Sequence, residues 1–309
     1  MTTTTTFHGL GADNTLTVYA DGANELLNQS VSMIQAYAHL LSLYDDESLL
    51  TMINAQAGKT PVHIPVRPVF NLIAQAVAWS KRGLGYNALI GPIVKLWRIG
   101  FADARVPSAN EVNAALALTD PNLVELDSEN QTVFLPKEGM VLDLGGIAKG
   151  FIVDQVYDLW DKTGVESGLI DLGGNQRLVG KAASGIPLWQ WPIADPRHPG
   201  QRSIATLTTE PKAVVTTGIF ERHSEIAGKE YHHLIDPNTG YPVESNMASI
   251  TVIADNGLIG DVLSSVGFYA GVPAGYDAIE AEGQEAIFVT KDTRVYQTSG
   301  LRETLAVTM

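Results

Sequence analysis

A chain of 309 residues with 45% hydrophobic and 17% charged residues has the balance of a folded globular protein, which excludes general disorder and fibrous classes. Its 34 acidic residues against 20 basic give a formal net charge of -14, an unsuitable surface for nucleic acid or an anionic membrane. Cysteine is absent, so disulfides, thiolate catalysis, Cys-ligated zinc and iron-sulfur clusters are excluded together. Any phosphate-bearing ligand would then need local help from backbone amides or a cation.

The start, Met1 to Gly9, is a threonine run without the basic and apolar regions of a secretory leader, and residues 1–14 read as a flexible N-terminus. No later stretch is apolar for long enough to span a bilayer. The chain as given is expected in the cytoplasm, or exported if a leader has been removed.

Thr15 to Tyr19 alternates like a strand, and Gly22 to Leu43 carries apolar residues at helical spacing through Leu26, Met33, Ile34, Tyr37 and Leu41. A turn-rich stretch leads into Leu49 to Asn54, and a second helix is expected over about Val69 to Lys81. Ser108 with Glu111 forms a capping-box signature for a short helix through Leu118. Leu123 to Leu126 and Thr132 to Leu135 predict a hairpin.

Val141 to Leu144 predicts a short strand ending in Gly145 and Gly146, followed by a helix marked by Ile147, Ile152, Val156 and Trp160. The word Asp-Leu-Gly-Gly recurs at Asp171 to Gly174, a thin trace of internal duplication. Strands are expected at Ala213 to Thr217, Ile219 to Ile226, Glu230 to Ile235 and Ala248 to Ala254. An apolar helix over Gly257 to Ala270 and strands near Ala286 to Thr290 and Arg294 to Thr298 complete the chain. With no linker-like stretch, residues 15–309 read as one interlocked α+β domain.

Three segments could carry chemistry. Asp143-Leu-Gly-Gly-Ile-Ala-Lys149-Gly150 is a turn into a helix start, where close backbone approach and free amides favour an anion such as a diphosphate. It is neither a Walker A loop nor a Gly-x-Gly-x-x-Gly fingerprint, and taken alone it serves equally as a turn that needs small residues. Asp261 and Ser265 share a helix face with Ser264 beside them, a carboxylate and hydroxyl of the hard-oxygen kind that magnesium accepts; an Asp there also suits a helix cap. In Tyr231-His232-His233-Leu-Ile235-Asp-Pro, adjacent histidines on a strand point to opposite faces, so one could serve as a general base or both could be structural. Tyr86, Trp97, Trp189 and Trp191 could stack on a flat heterocycle or pack in the core.

Taken in order, these words resemble the ApbE family, the FAD:protein FMN transferases, from about Leu40 to Gly271. The matching pieces are Ser42 to Asn54, Gly85 to Gly100, Asp143 to Asp154, Asp171 to Gly180, Val215 to Gly218, His233 to Pro242 and Asp261 to Ser265.

The resemblance implies an α+β, T-fold-related domain with FAD in a cleft. It also implies magnesium-dependent transfer of FMN to a Thr or Ser hydroxyl of an acceptor protein, with release of AMP. Carried over by position, Leu41, Gly85, Tyr86, Asn87, Asp143, Lys149, His233 and Ile235 would contact FAD. Gly146 would offer its carbonyl to magnesium, with Asp261, Ser264 and Ser265 at the metal. His233 and Asp261 would be the catalytic pair.

The sequence departs from the family at Asn87, Leu89, Ser265 and Asp171, where the usual residues are Asp, Thr, Thr and Asn. It also lacks the lipobox Cys of exported members. The rival readings are a magnesium-dependent FAD diphosphatase, which would share nearly every residue, and a flavin carrier without chemistry.

Overall fold

The computed structural model describes residues 2–198, 200–220 and 223–308. In chain order the elements are β1 (Thr3–Gly9), β2 (Ala12–Val18), α1 (Asn24–Leu40), α2 (Leu49–Ala55), β3 (Val62–His63), α3 (Arg67–Lys81), α4 (Gly91–Trp97), α5 (Ala109–Leu116), β4 (Glu125–Asp127), β5 (Thr132–Phe134) and α6 (Ala148–Lys162). They continue with β6 (Ser167–Leu172), β7 (Asn175–Gly180), β8 (Trp189–Ala194), β9 (Ser203–Thr209), β10 (Ala213–Gly218), β11 (His223–Ile226), β12 (Lys229–His232), β13 (Met247–Ala254), α7 (Gly257–Ala281), β14 (Glu285–Thr290), β15 (Val295–Gln297) and β16 (Leu305–Val307). The mixture is the expected α+β.

The chain divides into two units that interleave in sequence. The first comprises Met1–Ala38, Ile147–Gly218 and Ser245–Met309; the second comprises His39–Gly146 and Ile219–Glu244.

The first unit is built on an antiparallel sheet of order β1-β2-β6-β7-β10-β13-β14-β15. Helix α7 packs on β10 and β13, and α6 packs on β6 and β7. On the opposite face, Ile253, Ile287 and Val289 pack against Ile193, Ile204 and Leu207 of a smaller sheet, β16-β9-β8. Covered on both faces, β13 buries every residue, including the polar Ser249 and Thr251.

The threonine run forms β1, paired through β2 to the main sheet, in place of the flexible start expected over residues 1–14. β-branched threonines suit an extended ribbon. Strands β8 and β9 had no counterpart among the expected elements. Trp189, on β8, is a core residue packed with Leu178 and Val214, and Trp191 packs at the margin of the same cluster.

In the second unit, β3-β5-β4 includes the expected hairpin, and the capping box forms at Ser108 and Glu111. Val141 to Leu144 lies outside any strand. Strand β12 stops at His232, and Ile235 makes only an isolated bridge to Pro242. The strand expected over Ile219 to Ile226 begins at His223; Glu221 and Arg222 lie outside the described residues.

Candidate active site

In the first unit, the starts of α6 and α7 meet beside the β6–β7 turn. Helix α6 opens without a side-chain cap at Ile147, and of its first-turn amides that of Gly150 is taken by Asp261 while those of Ala148 and Lys149 could meet an anion. Lys149 sits in that first turn, a position the helix dipole disfavours for a cation. Its ammonium donates to the Gly173 carbonyl at 3.2 Å, and its charge acts on both Asp171 and Asp261. Glycines at 173 and 174 adopt φ of 57° and 94°, which turns the chain tightly enough to expose that carbonyl.

Asp261 is buried at 5% exposure and accepts from the Gly150 amide at 2.9 Å through Oδ2. Burial pushes its carboxyl above the ordinary range, opposed chiefly by the Lys149 charge and the Gly150 amide. Asn175 also draws it down, although the buried Asn175 Nδ2 makes no hydrogen bond of normal geometry. One turn on, Ser265 is buried at 8% exposure. Ser264 is fully buried and already engaged: its hydroxyl donates to the Asp261 carbonyl at 2.8 Å and lies 2.8 Å from Thr217 Oγ1. That leaves Asp261 and Ser265 as the side chains with oxygen to offer.

Asp154 lay inside a family-like stretch but had no role assigned from sequence. Its Oδ1 accepts from the Gly257 amide at 2.6 Å and its Oδ2 from Leu258 at 2.9 Å. Burial, opposed by these two amides and the Arg177 charge, raises its carboxyl to about 6. The available signal was the word Gly-x-x-x-Asp, present at both Gly150 to Asp154 and Gly257 to Asp261.

In the second unit, the Asp143 carboxylate accepts from the Gly145 amide at 2.8 Å, closing the turn that ends at Gly146. Asn87 uses both ends of its amide: Nδ2 donates to Thr119 O at 2.9 Å and Oδ1 accepts from Leu89 N at 2.8 Å. An Asp at that position would lose the first bond. Gly85 has φ 95° and leads into the buried Tyr86. Leu41 and Ile235 are core side chains, with Ile235 packed against Trp97, Ile93 and Val112. Trp97 donates to Gly240 O at 2.8 Å and is likewise core, not a stacking platform. His233 lies in a bend just beyond β12, so the two-faced strand expected for the histidines does not extend to it, whereas His232 Nε2 meets Val243 O at 3.0 Å.

Among the described residues no cluster of three or more His, Cys, Asp or Glu could hold a metal, and no helix is long and apolar enough to cross a membrane. The donor set defines a class: an α+β protein with an uncapped helix start, a lysine and a buried carboxylate, suited to phosphate oxygens and a hard cation.

The ApbE family pattern matches residues 10–288, and the chain belongs to the ApbE family. It is 42% identical over 279 residues to an FAD:protein FMN transferase of Klebsiella pneumoniae (strain 342), covering 90% of this chain and 86% of that one. Identity to an FAD:protein FMN transferase of Treponema pallidum (strain Nichols) is 34% over 295 residues, 91% of this chain and 81% of the relative. The crystal structure of the ApbE protein of Thermotoga maritima superposes with a TM-score of 0.89 at 26% identity, covering 97% of this chain and 98% of that one. The apo flavinyl transferase ApbE of Pseudomonas stutzeri gives 0.83 at 26% identity, with 98% and 96% covered.

Proposed function

We propose that this chain transfers the FMN half of FAD to a Thr or Ser hydroxyl of an acceptor protein and releases AMP, with magnesium held at Asp261. The observation that carries the proposal is the buried Asp261 carboxylate, held by the Gly150 amide at an uncapped helix start beside Lys149. Relatives named FAD:protein FMN transferase support the reaction.

The residues fit the metal. A desolvated carboxylate with a raised pKa is returned to its ionised form by an added cation, and a hydroxyl one turn on is the hard oxygen that magnesium prefers. When bound, magnesium supplies neutralisation of charge on the diphosphate oxygens. The Lys149 ammonium and the Ala148 and Lys149 amides at the start of α6 would hold those oxygens. The acceptor hydroxyl oxygen bonds to the FMN-side phosphorus, the bond from that phosphorus to the AMP oxygen breaks, and the hydroxyl proton goes to a base, the role that family position alone gives His233. Gly146, Leu41, Gly85, Tyr86, Asn87, Asp143 and Ile235 carry roles by family position alone.

Incubation with FAD and magnesium, with and without an acceptor domain, tests the reading. A flavin-labelled acceptor with matching AMP supports transfer. AMP released at full rate without acceptor would replace it with a diphosphatase.

A further inference from the structure

Helices α6 and α7 share the pattern Gly-x-Ile-x-Asp near their starts, Gly150-Phe-Ile-Val-Asp154 and Gly257-Leu-Ile-Gly-Asp261, and they meet at those words. A spacing of four places each Gly and Asp on one face. The contact is reciprocal: the Gly257 amide donates to Asp154 at 2.6 Å and the Gly150 amide to Asp261 at 2.9 Å. Only glycine permits the approach. A Cβ on Gly150 would stand 2.1 Å from the Gly257 carbonyl oxygen, and one on Gly257 would stand 2.5 Å from that of Gly150.

The two halves differ in one respect. Asp154 fills both oxygens, the second with the Leu258 amide at 2.9 Å. Asp261 accepts one hydrogen bond of normal geometry, through Oδ2, and its remaining surroundings include the unpaired Asn175 Nδ2. One carboxylate is closed by backbone on both oxygens; its counterpart is held by backbone on one.

We propose that Asp154 is a positioning residue for Asp261. By holding the first two amides of α7 it fixes that helix on α6, so that Asp261 gives one oxygen to Gly150 and presents the other to a divalent cation. The cation half of this inference rests on the function proposed above, whereas the helix half stands on the hydrogen bonds alone. Loss of a group that orients a metal ligand costs about 10- to 100-fold in metal affinity.

The test uses the full chain and three variants. Asp154→Asn keeps the shape but only one acceptor. Asn256→Ala removes the exposed α7 cap, whose Oδ1 accepts from Ile259 N at 2.9 Å, and leaves the link to α6 intact. Manganous ion affinity is read by electron paramagnetic resonance, and hydrogen exchange of the Gly150 amide by glycine-labelled NMR without metal. Asp154→Asn is expected to weaken manganous binding by about tenfold or more and to speed Gly150 exchange, with Asn256→Ala within about twofold of wild type in affinity. Leu258→Pro, which removes one donor from the α7 side, is expected to act in the same direction and serves if Asp154→Asn fails to fold. Wild-type affinity and Gly150 exchange in Asp154→Asn, or equal losses in Asn256→Ala, overturn the positioning role. A wild type that binds no manganous ion, with Gly150 exchange still fast in Asp154→Asn, overturns the cation half and upholds the helix half.

Discussion

Asn54 and Leu142 exchange two hydrogen bonds: the Asn54 Nδ2 donates to the Leu142 carbonyl at 2.9 Å, and the Leu142 amide donates to Asn54 Oδ1 at 2.7 Å. A side chain on α2 thus does for the segment before Asp143 what a neighbouring strand would otherwise do. The Ala88 carbonyl, which accepts from the Asp143 amide at 2.7 Å, completes the support.

Asn54→Ala strands both backbone groups of the buried Leu142. A loss of about 2–4 kcal/mol is expected in urea unfolding, since each unsatisfied buried group costs about 1–3 kcal/mol. Asn54→Asp restores the acceptor but not the donor, so it is expected to recover less than half of the loss.

This pair also shows where sequence reading stopped. Val141 to Leu144 has the apolar composition of a strand, but periodicity is blind to a single Asn that replaces a strand partner. Helices α1, α3 and α6 and the capping box at Ser108 were legible because each is specified by local spacing. The threonine ribbon β1 was not, since its order comes from pairing with β2 and so with the rest of the sheet. At the site, type and spacing left Asp261 open as a cap and the turn before Lys149 open as structural, and only the order of the family-like words singled both out. Asp154 was not, because its role depends on a helix about a hundred residues away in the chain.

Gly150→Ala places a methyl 2.1 Å from the Gly257 carbonyl oxygen and 2.8 Å from the Asp261 Cβ. The helices must separate, and a stability loss of about 1–3 kcal/mol is expected with a larger relative loss of transfer activity. Thermal unfolding beside initial rates at saturating FAD checks both. Unchanged activity in a destabilised variant would show that the helix contact serves folding alone.

Asp154 makes a pH prediction of definite sign. Its carboxyl titrates at about 6 in the fold against an ordinary value of 3.8, so between these values the folded state holds the extra proton. Stability from this group is full below the lower value and is lost as pH rises through the upper one. Wild type should therefore lose about 3 kcal/mol relative to Asp154→Asn between about pH 4 and about pH 7. Parallel urea titrations across that range measure the difference, and parallel curves would remove the raised carboxyl from the account.

Asp261→Asn removes a buried charge without changing volume. Metal-free stability is expected to stay equal or rise, while the increase in melting temperature produced by magnesium disappears. Differential scanning fluorimetry with and without magnesium reads both.

The most direct measurement is the stoichiometry of AMP released to acceptor flavinylated as magnesium is varied, in wild type and Asp261→Asn. The account predicts one AMP per labelled acceptor hydroxyl, dependence on magnesium, and loss of both products by about a thousandfold in the variant, the scale of removing a principal stabiliser of transition-state charge. AMP in excess over labelled acceptor, or full activity of Asp261→Asn at the same magnesium concentration, would contradict it.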